Sequence, residues 1–449
     1  MIDKLSATTE GRERPGDVPR SLQRVVTWCD RLLNGRRLRV YPIFMLVIGI
    51  VFYAASNAAG HPPFDAFGHP VAVDLSSHLT GGRLILDGKA QQLYDVKTQW
   101  AVQQRMLGGG HPEFLDLFIS PPFVALVYLP LSALPYEQAA ALWTALTVLL
   151  LIVDLRLIWP LVPNLHHHGF SFVLIVALSS WPVIELIADG QDSALMWLFL
   201  VGGLRLLLAG RDTLAGGVLG LGAAKPQLFL LIPVFLVLQR RWRALAAWLA
   251  VAIVLGMLSA ALVTTDGIRP YVELLTSKQL HQGIAQSQNF KMLTLLALCQ
   301  TVLGGPAESA ATPATIGIDL AVLGLFLRSA YRPSTSMSHF TLVYGMSILA
   351  GSLVSPHFLV YDGVTLFLPA LLLLDRMPDR ASVRLSLAAA YVLTWTAALR
   401  SAAFGHMPWP ISLLAAPWTV LSVAALLLIY HQVLSTRCRC EVVRDPTDQ

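Results

Sequence analysis

The stretch TLAGGVLGLGAAKPQLFLLIPVFLVLQ (residues 213–239) consists of two apolar runs that meet at Lys225 and Pro226. Each run is too short to cross about 30 Å of hydrocarbon unaided. Broken helices at membrane depth usually surround a binding site or a water-filled cavity. A lysine at that depth is costly unless it faces an anion or water. The stretch therefore predicts a membrane protein with an interrupted helix near a functional site.

The rest of the 449-residue chain is also strongly apolar: 55% of its residues are hydrophobic and only 13% are charged. An average soluble domain carries about 25% charged residues. Apolar stretches long enough to span a bilayer recur from Val40 to Tyr430. We therefore expect an all-α polytopic membrane protein that forms one integrated bundle.

The net charge of +5 does not indicate nucleic-acid binding, because much of the surplus lies in the first 40 residues and in short loops. Arginines placed in this way follow the positive-inside pattern of membrane topology. The sequence has neither a GxxxxGK[ST] motif nor a GxGxxG at a strand–helix junction. We therefore expect no nucleic-acid partner, no cofactor, no metal and no direct use of a nucleotide-sugar.

The apolar stretches predict about twelve transmembrane helices, which places both termini in the cytosol and the basic clusters inside. The predicted spans are 40–59, 138–158, 170–188, 193–209, 213–224, 226–239, 244–264, 314–328, 339–353, 357–374, 383–402 and 411–430. We expect a multi-pass protein of the plasma (inner) membrane whose active site faces the periplasm or exterior.

This topology divides the chain into three parts. A cytosolic basic tail (1–36) and a second cytosolic tail (436–449) flank the transmembrane domain (37–435). The domain has a large first outer loop (60–137) and a second outer loop (265–313). Each loop contains a short apolar stretch, 120–135 or 290–304, which we expect to be re-entrant or to lie on the membrane surface.

The outer side collects the polar features of the sequence. These are the first outer loop, the turn at 189–192, Lys225, the loop 265–289 with Lys278, His281, Gln286, Gln288 and Asn289, and the segment from Ser355 to Asp362. The cytosolic loops are short and basic and hold no comparable cluster. Any chemistry is therefore expected on the outer side of the membrane.

Asp74 is the first candidate for that chemistry, because it stands just past the first span in an otherwise neutral run. An aspartate there also suits the N-cap of a following helix, and the two roles can coexist. Asp65 and Asp87 are weaker rivals, and Asp87 with Gly88 is typical of a helix end.

The other candidates each have a structural alternative. Lys225 suits an anionic ligand such as a lipid phosphate, or it snorkels to the interface. Gln191 and Asp192 suit hydrogen bonds to a hydroxylated ligand, or they cap the next helix. His357, Tyr361 and Asp362 lie about one helical turn apart at the start of a span, which suits either a polar pocket or a buried structural His–Asp pair.

Taken together, the motifs resemble the GT-C superfamily of polyprenyl-phosphate-sugar-dependent glycosyltransferases, and within it glycosyltransferase family 87, once catalogued as a domain of unknown function. The resemblance covers about residues 60–375 and lies in the order and spacing of its motifs. The residues that carry it are Asp74, Gly82, Gly88, Leu93, Tyr94, Pro121, Pro122, Pro130, Leu131, Leu134, Pro135, Trp143, Gly190, Gln191, Ala215, Gly216, Gly220, Leu221, Lys225, Pro226, Arg240, Arg241, Trp242, Arg243, Ser355 and Pro356.

The resemblance implies an inverting hexosyltransferase with a GT-C-type bundle and a polyprenyl-phosphate sugar donor. It implies that an aspartate of the first outer loop, here Asp74, is the general base. A cation must offset the donor phosphate; Lys225 is the candidate, with His357 or Arg83 as alternates. Bound membrane lipids and a lipid or envelope-glycan acceptor are the implied partners, and mannose is the default sugar.

The chain departs from the better-known family members after Ser355 and Pro356. Those members carry a tryptophan and paired histidines, whereas this chain has His357, Phe358, Tyr361 and Asp362. The departure leaves the acceptor and the sugar open. The alternative function is a transporter or flippase for a lipid or small solute, built from broken helices around Lys225. The absence of an evident inverted repeat and the one-sided polar residues favour the transferase.

Overall fold

The computed structural model describes residues 35–108, 116–277, 291–303, 309–334, 336–376 and 422–433, together with Tyr391 and Trp395. The predicted tails lie almost wholly outside these ranges, as do most of the spans 383–402 and 411–430. The polar residues predicted between Lys278 and Asn289 also lie outside the described residues. Within the described ranges, the regular structure is helical apart from two isolated β-bridges.

The described α-helices are numbered here in chain order. They are α1 (Gly35–Ala59), α2 (Val73–Leu86), α3 (Val96–Met106), α4 (Pro122–Val127), α5 (Leu129–Ser132), α6 (Tyr136–Ile158), α7 (Phe170–Leu178), α8 (Trp181–Asp189), α9 (Ser193–Leu208), α10 (Asp212–Gly220), α11 (Ile232–Leu238), α12 (Trp242–Thr276), α13 (Leu295–Val302), α14 (Ala311–Ala330), α15 (Met337–Val354), α16 (Phe367–Leu374) and α17 (Ser422–Val433). Short 3₁₀ turns join several of them, including Leu221–Ala224, Pro226–Phe229 and Val360–Leu366.

Five of the described helices are long and apolar enough to cross a membrane: α1, α6, α12, α14 and α15. Helices α7 and α8 make a sixth if their 60° bend lies within one span. Helix α1 exposes large apolar side chains such as Phe44 and Phe52, which suits contact with lipid, whereas α15 is buried along most of its length. The described helices thus indicate a multi-pass, all-α membrane protein, and the count of twelve spans stays a prediction.

Several predicted spans are shorter or more irregular than the sequence suggests. The predicted span 213–224 consists of α10 and a 3₁₀ turn, and 226–239 consists of another 3₁₀ turn and α11. Helix α12 has a kink at Thr264, whose backbone leaves the helical region with φ 56°. The kink coincides with the predicted end of the span 244–264, but the chain continues as a helix to Thr276.

The segment predicted as the first outer loop is largely helical and has its own apolar core. Leu75 and Leu79 of α2 are fully buried in it, together with residues of α3 to α6. Tyr94 links this core to α12. Its hydroxyl donates to the Ser120 carbonyl (2.7 Å), and its ring stacks on Tyr271 of α12 (4.4 Å between ring centres). Helix α2 is thus packed against this core through its buried leucines.

Candidate functional site

Asp74 lies in the first turn of α2, but it is not the N-cap, so that alternative is wrong. The N-cap residue is Ala72, whose backbone is left-handed (φ 58°), and no side chain caps the helix. The Tyr136 hydroxyl donates to the carbonyls of Val71 (2.7 Å) and Ala72 (3.1 Å) and so holds this unusual turn. The Asp74 carboxylate is consequently left for other partners.

The turn between α8 and α9 packs directly on this end of α2. Gly190 has φ +72°, and a Cβ built on it would lie 2.6 Å from the Ala72 Cβ and 3.0 Å from the Leu75 Cβ. Only glycine fits such an approach without a shift of the backbone. The Trp143 indole donates to the Gly190 carbonyl (2.8 Å) and fixes the turn from its other side.

This packing brings Gln191 against Asp74. The Gln191 Nε2 donates to Asp74 Oδ2 (2.5 Å), and the Gln191 Oε1 accepts from Lys225 Nζ (2.8 Å). The described residues donate no hydrogen bond to Asp74 Oδ1. Asp74 is half-buried. One of its carboxylate oxygens is therefore held by the protein, and the other has no donor among the described residues.

Lys225 stands where the sequence predicts a broken helix. It separates two 3₁₀ turns, and its backbone (φ −132°, ψ 74°) lies outside the α-helical region, which a following proline disfavours. Its side chain is 12% exposed, and its Nζ lies 2.7 Å from Asp192 Oδ1 and 3.6 Å from Asp362 Oδ1. Snorkelling to the interface is therefore the wrong interpretation of this lysine.

Asp362 belongs to the same cluster through a second contact. Its Oδ1 accepts from the Ser193 hydroxyl (2.5 Å), and its Oδ2 accepts from the Leu359 backbone N–H (3.1 Å). Lys225 Nζ also reaches Ser193 Oγ (3.2 Å) and lies 5.2 Å from the centre of the Tyr361 ring. Asp362 thus pairs with Lys225 and Ser193 rather than forming a structural pair with the His357 ring.

A second lysine centre lies on the α8 side of Asp74. Lys291 Nζ is 2.8 Å from Glu185 Oε1 and 3.0 Å from Asp189 Oδ2, and its side chain is 25% exposed. Burial lowers the pKa of Lys291, but the charges of Asp189 and Glu185 outweigh burial and raise it, so this amine is protonated. We call Lys291, Glu185 and Asp189 the Lys291 centre, and Lys225, Asp192 and Asp362 the Lys225 centre.

Burial and the two lysine centres together determine the proton affinity of Asp74. Burial is the main cause that raises the Asp74 pKa to about 7, and the negative charge of Asp189 adds to it. The hydrogen bond from Gln191 and the positive charges of Lys291 and Lys225 lower it. A carboxyl group with a pKa near the working pH is suited to accept a proton and release it again.

Further polar groups of the segment predicted as the first outer loop lie near Asp74. His78, one turn further along α2, stacks on Tyr128 (4.4 Å), and burial lowers its pKa to about 4, so the ring is neutral. Burial also raises the pKa of Asp116 well above its usual range, and the charge of Asp74 acts in the same direction. Asp116 hydrogen-bonds with Ser77. Asp74 therefore has a second carboxyl group, Asp116, as an electrostatic neighbour.

The structure brings together six of the residues predicted from sequence. They are Asp74, Gln191, Asp192, Lys225, Tyr361 and Asp362. His357 is half-buried beside them, where the charges of Asp362 and Lys225 act on it. Arg83 lies nine residues after Asp74 on α2, about 13 Å along the helix axis, and no described contact joins it to the cluster.

Neither Gln191 nor Asp192 caps α9 with its side chain. Asp192 occupies the N-cap position of α9, yet its carboxylate accepts no capping hydrogen bond and is paired with Lys225 instead. The capping alternative is therefore wrong for this turn, and both side chains face the cluster. Across the described ranges, no group of three or more His, Cys, Asp or Glu side chains is arranged to hold a metal ion.

The Lys291 centre, Asp116 and His78 are not predicted from the sequence. Glu185 stands alone in an apolar run, and Lys291 lies 102 positions from Asp189, so local sequence patterns do not indicate their contact. The one available signal was the charge itself, since an acidic residue inside a predicted span is costly unless it has a partner.

Comparison with protein families gives one match to the chain. The sequence model of glycosyltransferase family 87 matches residues 118–356, more than half of the chain. The match includes Gln191, Lys225 and Lys291, whereas Asp74 and Asp362 lie outside its limits. Comparisons with curated proteins and with solved structures give no match. The chain belongs to glycosyltransferase family 87 and is accordingly a transferase that moves a sugar from a donor to an acceptor.

Proposed function

We propose that the protein is an inverting hexosyltransferase that uses a polyprenyl-phosphate sugar donor and a lipid or envelope-glycan acceptor, with Asp74 as the general base. The observation that carries this proposal is the state of the Asp74 carboxylate. Gln191 holds its Oδ2, its Oδ1 has no donor among the described residues, and burial raises its pKa to about 7. Mannose is the default sugar because of the resemblance to mannosyltransferases, and other hexoses are outcomes of the test.

The proposed reaction needs a single carboxylate. Asp74 Oδ1 removes the proton from the acceptor hydroxyl as its oxygen attacks the anomeric carbon from the face opposite the phosphate. The bond between that carbon and the phosphate oxygen breaks, and the polyprenyl phosphate leaves with the electron pair. Because a phosphate is a good leaving group, no general acid is required. Hydrolysis of an ordinary glycoside, by contrast, uses two carboxyl groups.

The donor phosphate needs a cation, and the contacts favour Lys291 for this role over Lys225. An ammonium has three N–H donors. Four oxygens surround Lys225 Nζ within 3.6 Å, whereas two carboxylate oxygens are paired with Lys291 Nζ. Lys291 is also twice as exposed, at 25% against 12%. Contact of the donor phosphate with Lys225, His357 or Arg83 stays a prediction. Arg83 suits this role least, because no described contact joins it to the cluster.

The positions of basic residues support an outer location for the site. Helix α6 begins beside Val71 and ends near Arg156, and α9 begins at Ser193 in the cluster and carries Arg205 in its last turn. The arginines therefore lie at the ends remote from Asp74. By the positive-inside rule, these ends face the cytosol. We propose a plasma (inner) membrane location with twelve spans, cytosolic termini and the site open to the periplasm or exterior.

The test is the activity of Asp74→Asn in a purified, reconstituted preparation supplied with polyprenyl-phosphate-linked mannose, glucose or galactose and membrane lipid acceptors. We expect a loss of about 10²–10⁴-fold in transfer, because the amide cannot accept the proton. The matched control is Asp87→Asn at the exposed end of the same helix, which should keep normal activity. A fully active Asp74→Asn variant would refute the proposed mechanism, and a chain inactive with all donors would refute the donor class.

A further inference from the structure

We propose that Lys225 and Gln191 are positioning residues for Asp74: Lys225 fixes the orientation of the Gln191 amide, which then holds Asp74 through Nε2. The inference rests on the proposed role of Asp74 as the general base. It assigns to Lys225 and Gln191 a role different from direct contact with the donor phosphate or the sugar.

The chemistry of the three groups allows one orientation of the amide. A lysine ammonium is a donor without acceptor capacity, and an ionised carboxylate is an acceptor without donors. The Gln191 side chain lies between them, with Oε1 2.8 Å from Lys225 Nζ and Nε2 2.5 Å from Asp74 Oδ2. A flipped amide would place its NH₂ group against the ammonium and its oxygen against the carboxylate. Lys225 therefore selects the orientation that Asp74 needs.

Lys225 is itself held from its other side. Asp192 Oδ1 (2.7 Å) and Asp362 Oδ1 (3.6 Å) neutralise its charge, and the Ser193 hydroxyl lies 3.2 Å away. Asp362 in turn is fixed by hydrogen bonds from Ser193 and from the Leu359 backbone. With four oxygens around three N–H donors, Lys225 has no free donor for a substrate. Its burial and pairing suit a support for Gln191.

The contact between Gln191 and Asp74 affects how Asp74 accepts a proton. Gln191 occupies Oδ2, so the acceptor hydroxyl meets Oδ1 of a carboxylate that cannot rotate freely. The hydrogen bond also stabilises the ionised form of Asp74, because Nε2 can donate to a carboxylate. Loss of Gln191 should therefore increase the proton affinity of Asp74 and leave its orientation undefined. Loss of Lys225 should have the same effect by releasing the amide and removing a positive charge.

The test is the pH dependence of kcat/KM for the transfer reaction in Gln191→Met, which keeps the length of the side chain and removes both amide functions. We expect the acidic limb of the kcat/KM profile to move to higher pH by about one unit. We also expect kcat to fall while KM for the donor stays unchanged. The control is Gln91→Met, a substitution of an exposed glutamine in the same outer segment.

Lys225→Met and the double variant Gln191→Met/Lys225→Met test whether Lys225 acts on Asp74 through Gln191. If Lys225 acts mainly through Gln191, the limb moves upward in Lys225→Met, and the double variant moves beyond Gln191→Met only by the direct influence of the lost charge, which is the smallest of the causes that act on the Asp74 pKa. A reduced rate without movement of the limb in Gln191→Met would overturn the proposal and leave a structural role. Because this variant alters no charge, it decides the matter even if Lys225→Met does not fold. An active Asp74→Asn would instead refute the base assignment, so the two failures are distinguishable.

Discussion

Two lysines flank the candidate base, and each bridges two carboxylates, yet their surroundings differ. Lys225 sits at a broken helix, is 12% exposed and has four oxygens around its Nζ. Lys291 lies in the predicted second outer loop (265–313), is 25% exposed and is paired with two carboxylate oxygens. The turn at 189–192 contributes an acid to each of them. Among the described residues, Lys225 has partners for all three of its N–H donors and Lys291 has partners for two of three. This difference, rather than charge, distinguishes a lysine that supports the site from one suited to bind a ligand.

The largest expected difference between the centres is in stability. Lys225→Met would leave Asp192 and Asp362 buried without a cation, and breaking a buried pair in this way costs about 3–5 kcal/mol. Lys291→Met should cost less, about 1–2 kcal/mol, because water can reach the exposed side of its centre. Unfolding of the purified variants in detergent micelles measures both values. Equal losses would contradict the distinction drawn between the two lysines.

The second prediction concerns donor binding. Lys291→Gln should raise KM for the polyprenyl-phosphate donor about 10–100-fold, because a charge-assisted hydrogen bond contributes about 1.5–3 kcal/mol. kcat should change little. Steady-state kinetics with varied donor concentration measures this, and Lys89→Gln, at an exposed position, is the control. An unchanged donor KM would remove Lys291 from the phosphate site and return Lys225 and His357 to consideration.

The third prediction disturbs the turn that both centres share. In Gly190→Ala, the new Cβ would lie 2.6 Å from the Ala72 Cβ, so the turn must move away from α2. We expect a loss of stability of about 1–3 kcal/mol, and a fall in kcat of about tenfold or more because Gln191 no longer meets Asp74. The control is Gly217→Ala in α10, where a Cβ meets open space. An unaffected Gly190→Ala variant would show that the close approach is not needed.

The parts of this site that follow from local rules could be predicted from the sequence. Pro226 excludes a continuous helix, so the break at Lys225 follows from a single dipeptide. Gly190, Gln191 and Asp192 combine a tight turn with polar groups between two apolar runs, which predicts a polar turn at the membrane boundary. The family resemblance, confirmed over residues 118–356, implied the base role of Asp74, which lies outside the matched residues and stays a prediction.

The remaining parts depend on contacts between distant residues. The expected N-cap role of Asp74 failed because Tyr136, 64 positions from Ala72, holds the left-handed turn that starts α2. The partnership of Lys291 with Asp189 joins residues 102 positions apart. Local periodicity carries no information on either contact. The sequence therefore predicted several of the polar residues that meet in the cluster, but not which carboxylate each lysine would contact.

The smallest expected effect tests the sign of the electrostatics around Asp74. The negative charge of Asp189 contributes to raising the Asp74 pKa to about 7, whereas Lys291 lowers it. Asp189→Asn removes the first influence and leaves the charge of Lys291 less compensated, so both consequences lower the pKa of Asp74.

Because Asp74 must be ionised to act as a base, Asp189→Asn should move the acidic limb of kcat/KM downward, by about half a pH unit. The direction is opposite to that expected for Gln191→Met, although both residues belong to the same turn. General damage to this turn would reduce the rates of both variants and could not move their limbs in opposite directions. Two shifts of the same sign would therefore contradict the view that the Lys291 centre and the Gln191–Lys225 pair act on Asp74 as separate electrostatic influences.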